Sequence, residues 1–184
     1  MELVDIYNDR HEKLDYTKER KSLENGENRL SCFIWVINDR DEILLQQRLA
    51  STKKMPNMWG TTAGGAQVGD SSLSGAIREL KEELGIIANK EEMIFIGSYK
   101  RINDFVEVWL YKKNINVADL ILEPAEVQDA RWFSIDDFEK MIADGRGINS
   151  GYDIFKMYYQ NFYDRHYEII DGKPVAVKYK QEFI

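Results

Sequence analysis

Glu79, Glu82 and Glu83 stand close together in a stretch that reads as helix. On an ideal helix their spacing puts all three carboxylates within about 100° of arc. Like charges at i,i+3 and i,i+4 each cost roughly 0.2–0.5 kcal/mol. Glu82 and Glu83 also fall in the last turn, at the negative end of the helix dipole, where cations are preferred. A hard divalent cation reverses both penalties, since Mg²⁺ takes one or two carboxylates together with water and substrate phosphate. The competing reading is a solvated acidic face, because Lys-Glu-Glu suits an exposed helix. The first reading points to chemistry on a metal-bound phosphate group.

The elements around the glutamates favour that reading. Leu73, Ala76, Ile77, Leu80 and Leu84 recur at helical spacing on another side of the same segment, so the helix of about Ser71–Leu84 has a core face and a carboxylate face. Gly64 and Gly65 lead through Gly69-Asp70-Ser71 into its start, and glycine lets backbone approach a ligand closely. Asp70 or Ser71 can cap the N-terminus and Gly85 the C-terminus. An ordinary strand-to-helix turn would account for the glycines alone.

The segment Gly64–Ile86 resembles the Nudix box, G-x5-E-x7-R-E-U-x-E-E-x-G-U with U aliphatic. The pattern falls on Gly64, Asp70, Arg78, Glu79, Leu80, Glu82, Glu83, Gly85 and Ile86, with Asp70 the one departure from the family's glutamate. Weaker resemblance covers Arg29–Arg48 and Pro124–Phe133, and looks most like the branch related to isopentenyl-diphosphate isomerase. The resemblance implies an α/β/α sandwich around a mixed β-sheet, and hydrolysis of a nucleoside di- or triphosphate or related diphosphate ester with Mg²⁺ or Mn²⁺. By matching position, Glu79, Glu82 and Glu83 would hold the metal, with Glu79 the first choice to orient or deprotonate water. The Ala63 carbonyl, just before the box glycine, would be a further ligand. Arg78 would brace the box acids, and the shorter Asp70 puts its pairing with Arg78 in question more than the metal site.

Outside the box, Glu126 matches a loop carboxylate that many Nudix enzymes use as an extra ligand or base, and Glu107 is the other candidate. Arg48, Lys53, Lys54 and Arg101 are candidate phosphate contacts; a solvated cation is the alternative for each. Trp35, Tyr99, Phe105 and Trp109 could stack on a base, but core packing accounts for them better. Cys32 lies in an apolar strand and reads as a buried small hydrophobe.

Length and composition set the frame. The 184 residues, 43% hydrophobic, suit one domain with a real core: a Nudix box at 64–86, an N-terminal arm over about 1–29, and a C-terminal helix and tail over about 150–184. A net charge of −7 argues against binding a nucleic-acid polymer. No stretch approaches a membrane span, the first residues do not read as a signal peptide, and a single cysteine fits a reducing compartment, so cytoplasm is the expectation. The expected partner is a small diphosphate, and a homodimer is compatible with the family.

Strands are expected at Leu3–Tyr7, Ser31–Ile37, Glu42–Arg48, Met93–Arg101, Phe105–Lys112 and Ala130–Phe133. Lys13–Asn28 reads as a polar connecting arm. Further helices are expected from Ser134 to near Gly145 and over Tyr152–Phe162. Tyr163–Ile184 has no clear pattern.

Two rival functions remain at this level. An isomerase of the related branch would protonate its alkene with a cysteine just after a Trp-Thr-Asn stretch, with histidine-rich metal ligation. This chain reads Trp59-Gly60-Thr61-Thr62-Ala63-Gly64, with neither residue type nearby. A non-catalytic nucleotide-binding module usually loses box glutamates, and all three are present here.

Overall fold

A computed structural model of the chain describes residues 2–163, 166–170 and 172–177. Eleven strands and three α-helices follow one another as β1 Leu3–Tyr7, β2 Lys13–Glu19, β3 Arg29–Ile37, β4 Glu42–Arg48, β5 Trp59–Gly60, β6 Thr62–Gly65, α1 Ser72–Leu84, β7 Met93–Arg101, β8 Asp104–Lys112, β9 Val127–Ser134, α2 Ile135–Ala143, α3 Tyr152–Tyr158, β10 His166–Ile170 and β11 Lys173–Val177.

The central sheet is mixed. Its path runs β5-β4-β3-β8-β7, with β6 added to β3 and β9 to β4. Among the strand pairs of the described residues, β3 and β8 alone run parallel, over the full register Arg29↔Asp104 to Ile37↔Lys112. α1 covers one face, where Cys32, Ile34, Val36 and Leu44 meet Ala76, Leu80 and Leu84. On the other face Trp35, Ile37, Leu45 and Val108 pack against Phe138 and Met141 of α2 and Phe155 of α3. The Trp35 and Phe155 rings stack with centroids 4.6 Å apart. The sandwich is therefore α1, sheet, then α2 with α3, as the alternation of apolar residues along β3 requires.

β3 and β4 form only a short hairpin around the Asn38–Asp41 turn. Asn38 Oδ1 accepts from the N–H groups of Arg40 and Glu42 to close the turn, but just Val36↔Leu44 and Ile37↔Ile43 pair. The strands then part. β3 gives its first half to β6 (Ser31↔Gly65 to Ile34↔Thr62), and β4 pairs with β9 and β5. That divergence opens the sheet where the functional residues gather.

Three expectations need correction. Lys13–Asn28 is not simply a connecting arm, because Lys13–Glu19 is β2 and pairs antiparallel with β1, Leu3↔Glu19 to Tyr7↔Lys13. β2 carries polar residues on both sides and buries none, so periodicity could not disclose it; backbone pairing holds it. β8 begins at Asp104, which is buried, while Asn103 makes the turn at φ 56°. The third helix is α-helical only to Tyr158 and continues as a π-helical turn over Tyr159–Tyr163. Of the unpatterned tail, His166–Ile170 and Lys173–Val177 pair as an antiparallel hairpin. Among the described residues no helix is long and apolar enough to cross a membrane.

Candidate active site

The helix that carries the glutamates is fixed at both ends. Ser71 is its N-cap: Ser71 Oγ accepts from Ser74 N–H at 3.1 Å, and Ser74 Oγ accepts from Ser71 N–H at 2.9 Å. Gly85 ends it at φ 71°, a left-handed turn that glycine adopts without a Cβ penalty, and there its N–H reaches the Lys81 carbonyl. With Ser71 as the cap, Asp70 is free for another task.

That task is to hold Arg78. Arg78 Nε donates to Asp70 at 3.2 Å, Nη1 to Glu79 at 2.9 Å and Glu82 at 2.8 Å, and Nη2 to the Gly65 carbonyl at 2.9 Å. The shorter acid at position 70 still reaches the guanidinium, so one arginine fork ties helix, loop and strand together. Burial lowers the Arg78 pKa, but Glu79 and Glu82 outweigh it and the net shift is upward.

The three glutamates differ in environment. Glu82 is exposed, Glu79 is largely covered, and Glu83 is only 4% exposed. Glu83 accepts from Gln46 Nε2 at 2.7 Å and from the Ala63 N–H. Burial pushes its carboxyl up to about 8; Gln46 opposes the shift, and Glu79 and Glu126 add to it. Glu79 is raised too, by burial and by the charges of Glu82 and Glu126, against the pull of Arg78. A Cβ on Gly64 would stand 1.9 Å from the Glu79 carboxyl carbon. Only glycine admits that carboxylate against the strand.

Gly64, Arg78, Glu79 and Glu82 line a cleft of about 490 Å³ that also takes in Arg48, Arg101 and Glu126, while Glu83 is buried outside its lining. Glu126 reaches it because its carbonyl accepts from Leu49 N–H at 2.8 Å, which fastens its loop beside the end of β4.

Two expected residues fall elsewhere. Lys53 is exposed on a loop folded on itself, with Arg48 Nε donating to the Lys54 carbonyl at 3.1 Å, and it does not line the cleft. Glu107 lies under the first turn of α1, accepting from Ser72 Oγ, with His11 Nε2 at 3.6 Å. The helix rise puts that turn roughly 10 Å along the axis from Glu79. Trp35, at 0% exposure, is core. Cys32 is likewise buried, with its thiol pushed up to about 12 by burial and by Glu79.

Four cleft or near-cleft residues carry no sequence signal: Gln46, Phe33, Arg20 and Arg29. Gln46 sits in an apolar strand pattern, and the arginines come from the arm and the first turn of β3. Gln46 Oε1 is buried without a partner among the described residues.

The donor set is one a hard cation accepts: carboxylates of Glu79, Glu82 and Glu126 line the open cleft, Glu83 lies buried on the same helix as the first two, and Glu79 and Glu83 are destabilised as anions by burial and mutual charge. Among the described residues no group of three or more His, Cys, Asp or Glu is gathered closely enough to hold a metal ion by itself.

A NUDIX domain is matched over residues 27–150. This chain is a member of the Nudix hydrolase family. An uncharacterized Nudix hydrolase of Listeria monocytogenes is 31% identical over 150 residues, which is 80% of this chain and 89% of the relative. A solved structure from Deinococcus radiodurans shares the fold at TM-score 0.69 and 18% identity, covering 85% of this chain and 99% of that one. A bifunctional NMN adenylyltransferase/ADP ribose pyrophosphatase from Francisella tularensis, complexed with AMP and a Mn ion, aligns at TM-score 0.55 and 21% identity, over 72% of this chain and 41% of that one. The Nudix hydrolase fold seen here is thus shared with proteins of quite different sequence.

Proposed function

We propose that this Nudix hydrolase cleaves the phosphoanhydride bond of a nucleotide-derived diphosphate, with residues 1–184 working as one domain. Water attacks a phosphorus atom, the bond to the bridging oxygen breaks, and the attacking water gives up a proton. The observation that carries the reading is the gathering of the Glu79, Glu82 and Glu126 carboxylates on one open cleft, with Glu83 buried on the same helix as the first two, behind Gln46.

Glu79, Glu82, Glu83 and Glu126 would hold the metal, with the Ala63 carbonyl as a further ligand. A bound Mg²⁺ or Mn²⁺ supplies neutralisation of phosphate charge and an activated water. Glu79 orients that water or takes its proton. Arg78 positions Glu79 and Glu82 through the guanidinium fork described above. Arg48 and Arg101 contact substrate phosphate. The nucleotide and Mn ion bound by the Francisella protein support the same chemistry here.

The likeness to the isopentenyl-diphosphate isomerase branch extends, in this reading, to fold and diphosphate binding. Thr61, Thr62 and Ala63 offer no group to protonate an alkene. The lone buried Cys32 supports a reducing, cytoplasmic setting. A homodimer is tested by light scattering of the purified chain.

A panel of nucleoside di- and triphosphates, dinucleotides and nucleoside diphosphate sugars, assayed with Mg²⁺, with Mn²⁺ and with chelator, tests the proposal. The expected result is a phosphorylated product from at least one substrate class, abolished by chelator. No turnover across the panel with either metal, or an isomerised product that survives Glu79→Gln, would overturn it.

A further inference from the structure

The cleft has a second half that the glutamates do not use. Along β3, Cys32 and Ile34 face α1, so Arg29, Ser31 and Phe33 face the other side of the sheet. β6 shows the same alternation at its glycines. A Cβ on Gly64 would meet Glu79, and a Cβ on Gly65 would come within 2.9 Å of Arg29 Nη1. Among the described strands β6 pairs with β3 only. The cleft therefore wraps the β6 edge, with carboxylates on the α1 side and guanidiniums on the other.

Three arginines meet on that other side. Arg29 Nη2 and the Arg101 guanidinium share one carboxylate, the buried Asp104, with Arg29 at 3.2 Å. Ser31 Oγ donates to the same carboxylate at 2.8 Å. Two guanidiniums on one acid leave a positive excess. Arg29 Nη1 is buried with no acceptor among the described residues, and an anionic oxygen would supply one. The Arg101 guanidinium lies 5.6 Å over the Phe33 ring, which fixes its plane.

Arg20, just past β2, completes the group. Its partner is Glu2, at 3.1 Å in a half-exposed pair. Glu2 Oε1 also lies 3.9 Å from the Cβ position of Gly65. The Glu2 carboxylate thus stands in the basic half of the cleft, where an incoming anion would bind. Burial lowers the Arg29 pKa; Asp104 opposes this, and Arg20 and Arg101 add to it, a sign that the three cations feel one another.

We propose that Arg20, Arg29 and Arg101 form a second phosphate subsite across the β6 edge from the glutamates, so that the preferred substrate is a nucleotide-derived diphosphate carrying one further phosphate. The inference rests on the hydrolase reading above and adds its substrate class. Planar guanidinium forks match phosphate oxygens, and Glu2 is the group the phosphate displaces.

The test compares a nucleoside triphosphate with the matching diphosphate, in the wild type and three variants. Wild type should favour the triphosphate by about 10- to 100-fold in kcat/KM, through KM, the size expected of charge-assisted hydrogen bonds. Arg20→Ala, at a half-exposed position where folding should be spared, should lower that preference about tenfold. Arg29→Gln should do the same, with circular dichroism as the control for folding. Glu2→Gln should do the opposite and lower the triphosphate KM severalfold, which a merely structural Glu2–Arg20 pair would not.

Inorganic tripolyphosphate, titrated calorimetrically, gives a readout independent of turnover and should bind about tenfold more weakly to Arg20→Ala. Equal kcat/KM for the two nucleotides in wild type, or unchanged tripolyphosphate affinity in Arg20→Ala, would overturn the subsite while leaving the hydrolase reading intact. Should neither the triphosphate nor any diphosphate be cleaved, the hydrolase reading fails alone, and the calorimetry still decides whether the subsite binds phosphate.

Discussion

The two halves of the cleft are built in opposite ways. The acidic half comes mainly from one helix and the loop before it, with Glu126 added from a distant loop: Asp70, Arg78, Glu79, Glu82 and Glu83 lie within 14 residues, and Arg78 ties Asp70, Glu79 and Glu82 into one hydrogen-bonded unit. The basic half draws Arg20 from beside β2, Arg29 from β3 and Arg101 from β7, and holds two of them on Asp104 of β8. Local spacing fixes the first. The second exists only because β3 and β8 run parallel in register, with Arg29 opposite Asp104. The helix end is suited to holding a metal in one arrangement, while the assembled end can change by single substitutions without disturbing the helix.

The largest expected break is at Glu83. Glu83→Gln keeps the shape and the contact with Gln46 but removes the ionisable carboxyl, so turnover should fall by at least about two orders of magnitude. The thermal midpoint should stay level or rise, since burial already disfavours the charged form. A near-wild-type rate would move the chemistry out of the acidic half.

Gly64→Ala comes next. The new Cβ must push the Glu79 carboxylate away, so turnover should drop about 10- to 100-fold with a stability loss of roughly 1–3 kcal/mol. An unchanged rate would show that Glu79 need not sit against the strand. Arg78→Lys separates charge from geometry. Lysine keeps the cation but cannot span Asp70, Glu79, Glu82 and the Gly65 carbonyl together, and about a tenfold loss in kcat is expected. Full activity in Arg78→Lys would mean that charge alone braces the acids.

The smallest effect belongs to the link between the halves. Asp5 of β1 accepts from Lys13 Nζ at 2.6 Å and from the Gly69 N–H at 2.8 Å, joining the N-terminal hairpin to the loop that opens α1. Burial raises the Asp5 pKa, but Lys13 and Gly69 outweigh it and hold the carboxyl below its ordinary value. Its stabilisation is therefore present above the ordinary carboxylate range and lost as pH falls through the lowered folded value. Asp5→Asn should cost about 1 kcal/mol at neutral pH, given how exposed Lys13 is. The stabilities of wild type and variant should begin to converge only as pH falls below about 4, and should meet below the lowered folded value. A gap that persists in acid would assign the effect to packing.

How far the sequence could be read follows the same division. α1 was legible because Leu73, Ala76, Ile77, Leu80 and Leu84 keep a helical period between a serine cap and a glycine stop. β3, β4, β7 and β8 were legible as apolar runs between turn residues. β2 was not, since Lys13–Glu19 carries no burial pattern. Lys53 and Glu107 looked suitable by type and nearness in sequence. A loop folded on itself turns one outward, and strand alternation puts the other beneath the start of α1. Gln46 and Arg29 matter through what lies opposite them, Glu83 in one case and Asp104 in the other.

By itself, the sequence determined the glutamate helix, its glycine stop, the glycine-rich loop before it and the family these imply. All of these are set by spacing within one turn or one loop, where backbone geometry is nearly the same in any fold. Tertiary structure alone decided that Glu83 is buried and Glu82 exposed, that Gln46 serves as partner to Glu83, and that three arginines from separate parts of the chain share the far side of the cleft. Burial and charge proximity depend on what packs against a residue, and strands far apart in the chain supply that packing.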